Sequence, residues 1–151
     1  MKESFFAIVL IVAMAASVSC GSSPKFSDIT GKEWKLIEVH IDGRDIDFDR
    51  SVLANDGFSE LFTLNFDAQN ISGVGAPNRY SAPYTQDKNQ TISIKLARST
   101  MMASIREPEK LKEQDYFVYI QNAYEWKLDD KNLRLLSKTE AGAEVVLVFT
   151  L

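Results

Sequence analysis

The amino-acid sequence predicts a mainly β domain of the α+β class, with an antiparallel curled or barrel-like sheet and one helix near residues 107–123. Short apolar runs alternate with polar residues in period two between turn-forming clusters, as half-buried strands do. One segment alone has the first-turn chemistry of a helix. The last predicted strand, residues 145–151, is apolar on both faces and therefore needs cover on both sides, by the helix and by the opposite wall of a curled sheet.

The N-terminal segment predicts export and a lipid anchor. Residues 5–16 are wholly apolar, which is typical of the core of a secretion signal and shorter than the ~20 residues of a membrane-spanning helix. Cys20, the only cysteine, follows the small residues 17–19 and resembles the acylated cysteine of a bacterial lipobox. We expect a signal peptide over residues 1–19 and a lipidated tether over residues 20–28. The alternatives are a free thiol in a secreted protein and a cleavage that discards Cys20.

Residues 29–151 are enough for one domain around one hydrophobic core. The formal net charge of the chain is −4 at pH 7, and the charges are scattered. A nucleic-acid-binding protein would carry a basic stripe, and none is visible, so we expect no nucleic-acid partner. Contact with the membrane is expected through lipidated Cys20. The expected location is the bacterial cell envelope, periplasmic or surface-exposed.

The first strands of the domain are predicted within residues 34–66. Residues 34–41 alternate in facing, with a change between Leu36 and Ile37 that predicts a β-bulge. The dipeptide Asp42-Gly43 predicts a tight turn. Residues 62–66 alternate apolar and polar side chains and predict a half-buried strand.

An antiparallel pair of strands is expected next, formed by residues 80–84 and 92–96 around the polar turn 86–90. Pro77 and Pro83 lack a backbone donor. This segment is therefore predicted at a sheet edge or a bulge.

The helix is predicted from Glu107 to Ala123. Pro108 suits a first-turn position, and the acidic residues Glu107 and Glu109 suit the positive end of the helix dipole. Three closing strands are predicted after the helix, at residues 124–128, 133–135 and 145–151.

Residues that could carry catalysis or bind a metal are sparse. His40 is the only histidine, too few ligands for a transition-metal site, and no G-x-S-x-G pattern is present. The acidic cluster within residues 42–49 lacks the spacing of a calcium loop and is interpreted as a solvated face. Residues 73–75, Gly-Val-Gly, lack the third glycine of a dinucleotide loop, and glycines in a strand more often mark a close backbone approach. We predict no enzyme, no metal and no cofactor.

Two segments carry a family resemblance. Residues 72–84 read S-G-V-G-A-P-N-R-Y-S-A-P-Y and residues 100–104 read T-M-M-A-S. They resemble the motifs G-x-x-G-C-N-x-Y-x-G-x-Y and T-x-M-A-C of the META/HslJ family of small bacterial envelope domains. With Trp34-Lys35-Leu36 and the C-terminal aliphatic strand, the resemblance spans most of residues 30–151. Pro77 and Ser104 stand where the family usually has cysteines, so thiol-dependent properties of relatives should be absent.

The resemblance implies a curled antiparallel β architecture with one helix, and an envelope role in stress or drug tolerance without an established enzymatic activity. The motif positions that match are Gly73, Asn78, Tyr80, Tyr84, Thr100, Met102 and Ala103. Residues 78–80 have two interpretations. Either they form a recognition surface with Arg79 as an anion or partner contact, or Asn78 supports an unusual turn while Tyr80 and Tyr84 fill the core. The second interpretation is favoured, and Thr100 and Met102 are interpreted in the same way.

The expected function is that of a membrane-anchored, non-catalytic envelope lipoprotein domain that binds another envelope component in stress or drug tolerance. The alternative is a carrier of a small apolar ligand, with a lipocalin-like cavity inside the sheet. A core packed solid by five aromatic side chains would count against the carrier. They are Phe62, Phe66, Tyr80, Trp126 and Phe149.

Overall fold

The computed structural model describes residues 23–95, 98–100, 108 and 110–151. In these residues ten strands form one antiparallel, nearly closed, barrel-like sheet, which confirms the mainly β prediction. The strands are β1 (Trp34–Ile41), β2 (Arg44–Asp47), β3 (Thr63–Phe66), β4 (Asn70–Val74), β5 (Arg79–Gln86), β6 (Ile92–Ile94), β7 (Arg98–Ser99), β8 (Glu125–Asp129), β9 (Asn132–Lys138) and β10 (Glu144–Thr150). The helices are α1 (Arg50–Asn55) and α2 (Glu113–Gln121). Neither helix in the described part of the chain is long and apolar enough to cross a membrane.

The sheet runs in the order β6-β5-β4-β3-β1-β10-β9-β8, with β2 added to β1 and β7 added to β5. Its two ends meet at an antiparallel bridge between Thr91 and Glu125. The Ile92 amide donates to the Tyr124 carbonyl at 3.0 Å beside this bridge. This contact brings β6 to β8 and nearly closes the barrel.

Three features of the strands follow the sequence prediction: the bulge in β1, the turn after β1 and the three closing strands. The β1–β10 register shifts between Leu36 and Glu38, which confirms the predicted bulge. Asp42 and Gly43 have φ of 45° and 77°, the left-handed pair of a type I′ turn between β1 and β2. The three closing strands are also confirmed, as β8, β9 and β10.

The structure corrects the prediction for the two prolines. Pro83 lies inside β5, which has β4 on one side and both β6 and β7 on the other, so the segment is not a sheet edge. On that side, residues 80–81 of β5 pair with β7 and residues 84–86 pair with β6. Pro83, which has no amide donor, lies between these two paired ranges. Pro77 lies in the loop before β5 and follows Ala76 in a cis peptide bond.

The helix predicted near residues 107–123 is present as α2, but it starts later than predicted and it is not the only helix in the described residues. The helix α2 begins at Glu113, and the residues described before it, from Pro108, are not helical; Glu107 and Glu109 lie outside the described residues. Lys112 is extended, with φ −77° and ψ 143°, so the helix starts only after it. Leu111, in the non-helical segment before α2, packs in the core and is 3% exposed.

The second helix, α1, was not predicted. It is six residues long and begins after Asp49, whose carboxylate accepts the amides of Ser51 at 2.8 Å and Val52 at 3.3 Å. Asp49 belongs to the acidic cluster within residues 42–49, which is exposed as expected, and the sequence pattern does not single it out as an N-cap.

Candidate functional site

The motif segment of residues 72–84 forms β4, a loop over residues 75–78, and most of β5. The loop lies against the first turn of α2. The motif is therefore the junction between the sheet and its longer helix.

Glu113 is the centre of this junction. It is 9% exposed, and its Oε1 accepts the Ala76 amide at 2.5 Å and the Asn78 amide at 2.6 Å. Its Oε2 accepts the Asn78 side-chain amide at 2.7 Å. As the first residue of α2 it also lies at the positive end of the helix dipole. One carboxylate thus satisfies three donors of a loop that makes few backbone pairs of its own.

Thr100 extends the same network to Arg79. Its hydroxyl donates to Asn78 Oδ1 at 2.8 Å and accepts the Arg79 amide at 3.1 Å. Its own amide donates to the Arg79 carbonyl at 3.0 Å. The backbone of Arg79 is therefore held on both sides, while its side chain points outward and is exposed.

Two tyrosine hydroxyls meet at the carbonyl of Thr63. Tyr80 donates to it at 2.9 Å and Tyr116, from α2, donates at 3.0 Å, and the two hydroxyl oxygens are 3.3 Å apart. Burial raises the pKa of both tyrosines above the ordinary value of 10.0. These hydroxyls stay protonated near neutral pH and act as hydrogen-bond donors inside the domain.

The two motif glycines are places of close approach. A Cβ on Gly73 would lie 2.0 Å from the Thr63 carbonyl oxygen and 2.9 Å from the Tyr80 ring. A Cβ on Gly75 would lie 2.7 Å from Glu113 Oε1 and 2.7 Å from the Phe117 ring. Neither site has room for a side chain, because a Cβ would lie closer than 3.0 Å to these atoms. Thr63, Tyr80 and Glu113 also form the hydrogen bonds described above.

Tyr84 lies at the other end of β5 from Arg79. Its hydroxyl donates to the Asp67 carbonyl at 2.6 Å, and its ring packs 5.5 Å from Phe26 and 5.4 Å from Phe66. Partial burial raises its pKa. Of the other candidate residues, Met102, Ala103 and Cys20 lie outside the described residues.

An open cleft of about 370 Å³ lies on the outer wall where β3, β4 and β5 meet. Gly73, Tyr80 and Arg79 line it, together with Glu33 and Glu60. No ion pair joins Arg79 to an acidic side chain among the described residues. Within the same residues, no group of three or more His, Cys, Asp or Glu side chains is placed to hold a metal.

His40 lies away from the motif, on the outer face of β1. Its Nδ1 is 2.7 Å from Asp45 Oδ1 and its Nε2 is 3.1 Å from Glu38 Oε2. The hydrogen bond with Asp45 raises the pKa of His40 above its ordinary 6.5, although partial burial opposes it, and Glu38 adds to the increase.

We expect the imidazole of His40 to titrate above pH 6.5, and the Asp45→Asn variant to bring its pKa back toward that value. A pKa raised in the folded state adds stability that is complete below pH 6.5 and is lost as the pH rises through the folded-state pKa. The contribution is small because the side chain is 40% exposed. NMR of the single histidine measures the pKa directly, and an unchanged value in Asp45→Asn would contradict the assignment.

Sequence reasoning missed two residues that organise the domain. One is Glu113, whose partners lie 35 and 37 residues away. The other is Arg50, whose half-buried guanidinium donates to the carbonyls of Leu36 at 3.3 Å, Leu61 at 3.0 Å and Ser59 at 2.7 Å. Residues 34–35 of β1 pair with β3 and residues 38–41 pair with β2. Arg50 binds the carbonyl of Leu36, which lies between these two ranges. The Asp49-Arg50-Ser51 cap signal could have located Arg50 at a helix start, but not its partners.

Comparison with known proteins gives a family and a fold. The family model described as META domain matches residues 27–150. An NMR structure of a protein from Burkholderia xenovorans has a TM-score of 0.58 at 16% identity, covering 82% of this chain and 85% of that one. A crystal structure of a DUF4847 family protein from Bacteroides vulgatus ATCC 8482 has a TM-score of 0.52 at 15% identity, covering 82% and 94%. At these identities the structures show the fold alone, and no curated protein matches the chain.

Proposed function

We propose that this chain, which belongs to the META domain family, is a membrane-anchored binding domain of the bacterial envelope that acts through its outer surface and performs no catalysis. The proposal includes a role in stress or drug tolerance, which the family resemblance implies. Neither the family nor the structural neighbours give a sign of catalysis.

The filled interior of the barrel carries the proposal. Phe62, Phe66 and Phe149 are fully buried, and Tyr80 and Trp126 are each 3% exposed. Aromatic side chains of this size occupy the space that a lipocalin-like carrier would keep for its ligand. The carrier alternative is therefore disfavoured, and the outer surface remains as the place where a partner would bind.

The motif residues support the same conclusion. Glu113 binds the Asn78 side chain and the loop backbone, and the Tyr80 hydroxyl binds the carbonyl of Thr63. Catalysis at neutral pH needs an acid or base with a pKa near the working pH, whereas burial moves the pKa of the two buried tyrosines away from it. The motif is better suited to holding a surface in place.

The N-terminus of the domain suits a short tether to the membrane. Phe26 packs 5.3 Å from Phe66 and 5.6 Å from Trp126, so the chain is fixed to this end of the barrel from that residue onward. Five residues separate Phe26 from Cys20, and a fully extended chain of that length spans roughly 20 Å. Acylation of Cys20 would hold this end of the barrel close to the bilayer.

Expression of the full chain in a bacterium fed radiolabelled palmitate tests the anchor. We expect the label in the protein and recovery of the protein with the membrane fraction, because the acyl chains supply the attachment. The Cys20→Ala variant should lose both the label and the membrane association. A wild-type protein without label, or a variant that keeps the label, would overturn lipidation at Cys20.

A further inference from the structure

The outer face of β5 and β7 presents two arginines that take no part in the packing of the domain. Arg79 and Arg98 are both exposed, and neither forms an ion pair within the part of the chain that the structure describes. Two other arginines are engaged: Arg50 binds backbone carbonyls, and Arg134 pairs with Asp129 at 3.1 Å, whereas Arg44 is exposed on β2, away from β5 and β7. Arg79 and Arg98 thus place two positive charges on one face of a chain whose net charge is −4.

The strand register brings the two arginines together. Ser81 of β5 is paired with Arg98 of β7, and the next pair is Tyr80 with Ser99. Arg79 is therefore opposite Thr100, and Arg98 is its diagonal neighbour on the same face. Diagonal neighbours in an antiparallel pair lie roughly 7–8 Å apart, within reach of two long side chains that bind the same acidic group or two adjacent ones.

The backbone beneath Arg79 is fixed in advance. Thr100 holds its amide and its carbonyl, and Thr100 is in turn bonded to Asn78 and through it to Glu113. A backbone that is already ordered lowers the entropy lost when a partner binds. Glu33 and Glu60 line the cleft that Arg79 shares with β3 and β4, so an anion is favoured on the opposite side of β5, toward β7.

We propose that Arg79 and Arg98 form a docking surface for an acidic segment of a protein partner, with each guanidinium binding carboxylate oxygens of the segment. This rests on the proposed function of a surface-acting envelope domain and names the chemistry of its partner. The planar fork of arginine matches a carboxylate in a bidentate geometry. The charge of the patch is opposite to that of the domain as a whole, which favours an acidic partner at this place.

The bilayer to which the chain is tethered is a poorer fit. Tyr84 packs on Phe26 at the tethered end of the barrel, and Arg79 is five residues further along β5, roughly 17 Å away. The net negative charge of the domain also opposes a close approach to anionic headgroups.

The test uses the full chain reconstituted in phosphatidylcholine nanodiscs and titrated with a fluorescein-labelled hexaglutamate peptide, followed by anisotropy at low ionic strength. We expect saturable binding that weakens with added salt. Arg79→Gln and Arg98→Gln should each weaken it about threefold to fivefold. Arg134→Gln, which removes the same charge from β9, should leave it unchanged. All three variants should keep the wild-type melting temperature, because none of these side chains is buried.

Absence of peptide binding, or an equal loss in Arg134→Gln, would overturn the proposal. A second titration uses nanodiscs that also contain phosphatidylglycerol. Unchanged binding there supports a protein partner, whereas loss of binding in those discs alone would show that headgroups occupy the arginines and would overturn it as well. If the palmitate label at Cys20 fails, the anchor is removed and the same peptide titration is made with the full chain in solution, so the two proposals fail separately.

Discussion

Replacing Gly73 with alanine should destabilise the domain by about 3 kcal/mol or more, which corresponds to a fall in melting temperature of roughly 10 °C or more. The new Cβ would lie 2.0 Å from the carbonyl oxygen of Thr63, a backbone atom that cannot move without shifting β3. That carbonyl also accepts the hydroxyls of Tyr80 and Tyr116. The substitution therefore disturbs the pairing of β3 with β4 and the link to α2 together.

Urea unfolding followed by tryptophan fluorescence measures this effect, since Trp34 and Trp126 are both buried. Ser72→Ala is the matched control, because it changes the neighbouring residue of β4 and should alter the free energy of unfolding by less than about 0.5 kcal/mol. If Gly73→Ala were as stable as that control, the close approach of β4 to Thr63 would be incorrect.

The sequence predicted the elements that bury one face in a regular pattern. β1, β3, β8 and β9 were predicted because alternation in period two shows directly in the residue types, and β10 because it is a short apolar run. β4 was not predicted as a strand, since residues 72–74 show no such alternation. The need for glycine at position 73 comes from a carbonyl on the neighbouring strand, which the local sequence does not contain.

The positions of the helices also depend partly on local sequence and partly on tertiary contacts. Pro108 and the acids around it satisfy the rules for a helix start, yet α2 begins at Glu113, where the carboxylate reaches the loop of residues 76–78. α1 is too short for a periodic pattern, and its position is set by the cap at Asp49. In the candidate site, the motif residues could be named from the sequence, whereas Glu113 and the partners of Arg50 depend on tertiary contacts.

Glu113→Ala should cost the domain about 3–5 kcal/mol of unfolding free energy, the second large effect. The substitution removes the carboxylate that accepts the buried amides of Ala76 and Asn78, and the loss of the acceptor of a buried donor costs about 1–3 kcal/mol. The Asn78 side-chain amide loses its hydrogen bond to Glu113 as well. Urea unfolding measures the loss, and Glu140→Ala, at an exposed glutamate, is the control that should stay within about 0.5 kcal/mol of wild type.

Glu113→Gln separates the shape of this side chain from its charge. The glutamine carbonyl can still accept the two backbone amides, but its NH₂ group would face the side-chain amide of Asn78, a donor against a donor. We expect a loss of about 1–3 kcal/mol, between the control and the alanine variant. Faster hydrogen exchange at the Ala76 and Asn78 amides should accompany the alanine change and be smaller in the glutamine variant. Equal stability of wild type and both variants would mean that the loop holds its shape without Glu113. The order inferred for the backbone of Arg79 would then not depend on Glu113.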